Sequence, residues 1–191
     1  KSKSTSMTRD NAGTAMIATR ADAAGLWQPS LSYALSNKKN HLLYSSANIK
    51  GLIPDVLMMH TRVVKKQHTA VKKIVTAYFK GMNDYAKHPE RGIAYMAKGA
   101  DISRTDMAAA MKGSHLFSVG DNYQALHATV NNYTNINYTL LQTAKFLKRY
   151  GMVKHNLQQA APSFDTEFID QLYQQDHHWQ VLDTKTNKPR A

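Results

Sequence analysis

From Thr61 onward apolar residues recur at three- and four-residue steps: Val64, Val71, Ile74, Val75, Tyr78, Phe79 and Met82. That period predicts one buried face of a long helix over 61–85, with Lys65, Lys66, Lys72, Lys73 and Lys80 largely on the other face. His88-Pro89 predicts a further helix to about residue 98, because proline is tolerated at the first helical position. Ser103 with Asp106 is a capping-box-like start for another, which Gly113 ends. The stretch 116–135 has no clear period, is rich in Asn and Tyr, and reads as irregular. Residues 137–150 read as a strong helix, with Leu140, Leu141, Ala144 and Leu147 on one face and Gly151 as the C-cap. Asp165 or Thr166 caps a last helix through Phe168, Ile169, Leu172 and Tyr173.

The first sixty residues are patterned differently. Thr8 can cap a short helix over 9–19, with Ala12, Ala15 and Met16 as its apolar stripe. A small-residue run, Ala21-Asp22-Ala23-Ala24-Gly25-Leu26, leads to Trp27, and Gln28-Pro29 closes it because proline stops ladder pairing. A short helix is expected over 30–35. Strands are expected at 41–44 and 53–59, the second interrupted early by Pro54. Mixed helix and strand before a run of helices implies an α/β chain, yet so few strands make a poor sheet alone. The division expected is 1–58, 59–175 and a polar tail, 176–191.

Composition narrows the class. The 191 residues are 42% hydrophobic, too apolar for a disordered chain and long enough to bury a core. No cysteine is present, which excludes disulfides, Cys-based zinc or iron–sulfur sites and a thiol nucleophile. The formal charge is +12, from 25 Lys+Arg and 13 Asp+Glu. The lysines fall in scattered pairs (Lys38-Lys39, Lys65-Lys66, Lys72-Lys73), which reads as a solvated basic surface before a nucleic-acid footprint. No window approaches the ~20 continuous apolar residues of a membrane span. No stretch reads as a signal peptide, and Lys1 stands where Met would open a reading frame, so a processed product or fragment is expected.

Motif chemistry is sparse. There is no G-x-S-x-G, P-loop, G-x-G-x-x-G or H-E-x-x-H. His177-His178 beside Asp176 comes nearest to a metal cluster, but adjacent residues diverge and a solvated tail explains them better; no metal and no cofactor is expected. Met58-Met59 lacks a third ligand, and Asn132-Tyr133-Thr134 and Asn137-Tyr138-Thr139 match the glycosylation acceptor only as common patterns. What remains is Trp27 with Gln28: an apolar face with one N–H, beside an amide that both donates and accepts. From the residues alone, Trp27 as a core plug and Trp27 as a pocket wall stay equally open. Asp10 in the first helical turn complements the helix dipole, and that N-terminus, with the N–H groups of Asn11 and Ala12, could instead meet a sulfonate or carboxylate.

The order Ser6-Met7-Thr8-Arg9-Asp10-Asn11-Ala12, then Arg20-Ala21-Asp22-Ala23-Ala24-Gly25-Leu26-Trp27-Gln28-Pro29, resembles the second half of the extracytoplasmic substrate-binding proteins of ABC transporters. The branch is the nitrate, sulfonate and taurine one, which also holds the thiamine-pyrimidine-precursor binders. There a short helix leads to a strand ending in Asp-Ala-x-x-x-Trp-Glu-Pro. Gly51-Leu52-Ile53-Pro54-Asp55-Val56-Leu57-Met58-Met59 resembles the family's strand crossing back between lobes. Residues 61–85, His88-Pro89-Glu90, Phe117-Ser118 and Thr143-Ala144-Lys145-Phe146-Leu147 resemble the helices that follow. The resemblance reaches about residue 173.

It implies the C-terminal half of a type II periplasmic-binding-protein fold: part of the second lobe, then the helical closing part of the first. It implies binding of a small solute by two-lobe closure, presentation to an ABC permease, and no catalysis. Trp27 would wall the ligand, Gln28 would hydrogen-bond it, and Asp55 would lie near the hinge. The implied location is periplasmic or otherwise extracytoplasmic. Two departures stand out. The family's Glu after the Trp is Gln28 here, which favours an anionic or neutral ligand because buried like charges are costly. The family's N-terminal half has no counterpart in this sequence and would be a missing segment or a separate chain. Rival readings are a sensor or adaptor on the same fold and a basic helical nucleic-acid module. An enzyme related to the fungal pyrimidine-precursor synthases is disfavoured, since their cysteine-rich motif is absent.

Overall fold

The computed structural model describes residues 7–154 and 164–175, with the side chains of Arg9 and Asp10 outside that description. The expected tail, 176–191, lies outside the described residues, and with it His177, His178 and Asp176. The described residues divide into two compact units: residues 7–45 with 90–115, and residues 46–89 with 116–154 and 164–175.

In the first unit, α1 (Arg9–Ile17) begins where Thr8 Oγ1 accepts from the Asn11 N–H. It packs on α2 (Ser30–Leu35), and a Cβ added to Gly13 would sit 3.4 Å from the Ser30 carbonyl oxygen and Cβ. The connection is tied by amides. Asn37 Nδ2 donates to Ile17 O (3.3 Å), while Asn40 Nδ2 donates to Met16 O (3.3 Å) and Ala34 O (2.8 Å). Those bonds satisfy carbonyls that a helix end leaves without partners. The same unit holds nearly all of α5 (Pro89–Ala100) and α6 (Arg104–Lys112). Pro89 stands first in α5, and Ser103 caps α6 by accepting from the Asp106 N–H, both as the local pattern predicts.

The second unit holds α3 (Thr61–Lys66), α4 (His68–Lys87), α7 (Val119–His127), α8 (Ile136–Arg149) and α9 (Glu167–Gln175). The expected helix over 61–85 is broken: Gln67 leaves helical geometry (φ −129°, ψ 38°) and separates α3 from α4. Val71, Phe79 and Met82 are buried as the period requires, whereas Ile74 and Tyr78 are only about half covered. Phe79, Met82, Val119 and Leu172 form a core cluster, flanked by Val75, Leu116 and Ile169. It therefore draws on α4, α7 and α9. The segment 116–135, read above as irregular, contains α7. A reciprocal capping box starts it, with Ser118 Oγ accepting from the Asp121 N–H and Asp121 Oδ2 accepting from the Ser118 N–H.

Polar clamps fasten α9. Tyr173 stacks on Tyr123 of α7 (centroids 4.0 Å, 8° apart), and His127 Nε2 meets Asp170 Oδ1 at 2.7 Å. On the α4 side, His68 meets Glu167 Oε1 at 3.0 Å and its ring lies 4.8 Å from that of Phe168. At the start of α8, buried Thr139 donates to the Gly51 carbonyl (3.1 Å). Gly51 has φ +82°, a region that favours glycine, and a Cβ there would run into the Tyr133 carbonyl.

Neither expected strand, 41–44 nor 53–59, carries ladder pairing in the structure, and no strand occurs among the described residues. A strand needs a partner to satisfy its backbone, and no described segment runs beside either one as such a partner.

Candidate functional site

Trp27 precedes α2 in the first unit and is 64% exposed, so it is not a core plug. Gln28 follows, half-buried, and its side-chain carbonyl is committed to the helix. Oε1 accepts from Ser32 N–H (3.2 Å) and Ser32 Oγ–H (2.7 Å). It thereby caps the α2 N-terminus in place of the proline at the N-cap position, whose ring offers no acceptor. The acceptor half of the amide being used, the donor half is what Gln28 can offer a ligand.

Asn11 is exposed on α1. The N–H groups of Asn11 and Ala12, expected to be open to an anion, are engaged instead: they donate to Thr8 Oγ1 (3.4 Å) and Thr8 O (3.0 Å). Local capping takes these donors before any ligand does. Asp10 is in the first turn of α1, and its side chain lies outside the described residues. Asp55 is exposed and belongs to the second unit, where it faces Tyr78. Burial first, and the Asp55 charge second, push the Tyr78 phenol above its ordinary value. The structure thus gathers Trp27, Gln28 and Asn11 in one unit and places Asp55 in the other.

Among the described residues no group of three or more His, Asp or Glu side chains could hold a metal ion. Among them, too, no helix is long and apolar enough to cross a membrane.

A second feature of the first unit has no counterpart in the sequence reading. An open groove of about 520 Å³ lies along α5 and the start of α6. Arg91, Tyr95, Lys98 and Arg104 line it, over a floor that includes buried Ala97 and half-buried Ile102. Neither Trp27 nor Gln28 belongs to it. The signal was legible in principle, since Arg91, Tyr95 and Lys98 fall at i, i+4 and i+7 on one helical face. The contribution of Ile102 and Arg104 needed the turn between the helices.

No protein-family model, no curated protein and no solved structure matches this chain.

Proposed function

We propose that the chain is the extracytoplasmic solute-binding component of an ABC importer, in the α/β type II binding-protein fold, and that it holds a small anionic or neutral solute without transforming it. The observation that carries the reading is the 64% exposure of Trp27 beside a Gln whose carbonyl is already occupied. A large indole left outside the core is costly unless something covers it, and a flat ring next to the amide N–H donors of Gln28 suits an oxyanion or carbonyl-bearing ligand. The change from Glu to Gln at 28 fits the same ligand class, because it removes a negative charge.

A second support comes from the apolar stretches. Leu43 (88% exposed), Ile53 (74%), Leu57 (67%) and Met58 (83%) have the composition of strands in a covered sheet. An N-terminal half of the same protein would supply the covering segments, and closure of two lobes around the solute would precede delivery to a permease. In this reading Asp55 lies near the hinge.

The test is thermal shift and isothermal calorimetry on the protein expressed from its complete reading frame, against a panel of alkyl sulfonates, nitrate-like anions and pyrimidines. The expected result is a rise in melting temperature with one class, abolished by Trp27→Ala while far-UV circular dichroism is unchanged. An unchanged dissociation constant in Trp27→Ala, or no shift with any of the panel, overturns the proposal.

A further inference from the structure

The C-terminal end of α8 stands clear of the second unit's core. Residues 148–152 are all exposed, and that run is longer than one helical turn, so the tip projects on every side. Large apolar side chains are left out with it: Phe146, Tyr150 and Met152 are each more than half exposed. The tip is nonetheless fixed. Gly151, at φ +68°, donates to Lys148 O (3.0 Å), and the Met152 N–H donates to Leu147 O (2.9 Å), the paired bonds of a Schellman turn. Phe146 and Tyr150 pack ring on ring, with centroids 4.6 Å apart and planes tilted by 40°.

Cations stand beside these rings. Lys145 and Arg149 are four residues apart on one row of α8, next to the row that carries Phe146 and Tyr150, and Lys148 extends the basic side. All three cations are exposed, and among the described residues no ion pair engages them. No Asp or Glu occurs in the sequence between Asp121 and Asp165. The helix dipole accounts for cations in a last turn. It does not account for a fixed apolar cluster kept in water beside them.

An occupant has to cover a projecting apolar tip and neutralise the cations around it. A protein partner needs a pocket shaped for that tip, whereas a bilayer interface deforms around it and supplies both acyl surface and anionic headgroups. A second copy would set the same cations against one another. Nucleic acid leaves Met152 uncovered, and rings already packed on each other at 40° open no slot for a base. We propose that the end of α8 docks the protein on an anionic lipid surface. Phe146, Tyr150 and Met152 enter the headgroup region, and Lys145, Lys148 and Arg149 reach the lipid phosphates. The +12 formal charge draws the protein to such a surface. This docking requires no solute at Trp27 and stands whether or not the transport reading does.

The test is cosedimentation of the full chain with phosphatidylcholine vesicles, with and without about 30% phosphatidylglycerol. Binding to the anionic vesicles should be at least about tenfold tighter than to the neutral ones. Lys145→Gln/Arg149→Gln is expected to weaken it by at least about tenfold, and Met152→Gln by about threefold. The control is Lys73→Gln/Lys80→Gln on α4, an exposed pair with the same charge change; it should lose less than about threefold. The chain has no cysteine, so Met152→Cys accepts a single polarity-sensitive nitrobenzoxadiazole label. Its emission should shift to the blue on anionic vesicles, while the same label on Lys73→Cys should not. Circular dichroism checks each variant, and Tyr150→Cys carries the label if Met152→Cys fails to fold. Equal losses in the α4 control mean net charge alone and overturn the proposal. So does equal binding to neutral vesicles, or a label on the α8 tip whose emission stays that of water. Tighter binding of duplex or single-stranded DNA, with the same dependence on Lys145 and Arg149, overturns it as well.

Discussion

The α4–α7–α9 cluster and the stretches 41–44 and 53–59 are both rich in apolar residues and opposite in fate. In the cluster, Phe79, Val119 and Leu172 are each no more than 5% exposed. In the two stretches, Leu43 and Met58 are more than 80% exposed. The difference lies in how each meets its neighbours. A 3.6-residue period lets α4 satisfy its own backbone and still present Val75, Phe79 and Met82 to Val119 and Leu172. A short extended run cannot satisfy its own backbone, so its side chains are buried only when another strand arrives. Apolar content therefore says that a residue seeks cover, while the element type decides whether this chain supplies it.

The largest expected effect breaks the cluster. Phe79→Ala removes the ring at its centre and should cost about 3–5 kcal/mol in urea denaturation followed by circular dichroism. A loss no greater than that of a surface substitution would mean that α4, α7 and α9 do not share a core. Next comes Gly51→Ala, which adds a Cβ against the Tyr133 carbonyl at a left-handed φ and disturbs the acceptor of Thr139. It should cost about 1–3 kcal/mol from the backbone alone, seen as a shift of the same denaturation midpoint. A neutral Gly51→Ala would disprove that approach.

A smaller effect tests the clamp on α9 through pH. Burial acts to raise the Asp170 carboxyl, but hydrogen bonds from His127 and Thr166 and the His127 charge outweigh it, and the net shift is below the ordinary value. A depressed carboxyl stabilises the fold at pH above the ordinary 3.8, and that contribution is lost as pH falls through the ordinary value towards the lowered one. The near-ultraviolet signal of Tyr123 and Tyr173 should therefore weaken with acid, and Asp170→Asn should lose the part of that acid dependence below pH 3.8. Identical acid titrations for the two proteins would rule out the clamp. The smallest effect lies in the other region: Leu43→Ser should change stability by less than about 0.5 kcal/mol in either direction. A core-sized loss there would show that a described segment covers Leu43 after all.

Much of the local structure was readable from the chain. Thr8, Ser103 and Asp165 mark helix starts by their side-chain acceptors, and Pro89 marks one by its missing N–H. The helix α7 escaped a reading by hydrophobic period because Val119, Leu116 and Tyr123 are interspersed with polar residues. Its start was nonetheless written in Ser118-x-x-Asp121. Ile74 and Tyr78 were misplaced on the buried face for a complementary reason: the apolar stripe of α4 is wider than the face its neighbours cover. At the candidate site, residue type singled out Trp27 and Gln28. It could not tell that the Gln28 carbonyl turns back onto Ser32.

The chain fixes local features without help from the fold: where helices begin and stop, which residues carry charge, and which side chains seek burial. These follow from caps, prolines and periodicity within a few residues of one another. Long-range packing alone leaves Trp27 in the open, sets Gly51 against Tyr133, and brings Arg104 to a groove with Arg91 and Lys98. Each of these depends on how separate segments approach, and packing between segments is a property of the folded chain, not of any single stretch of it.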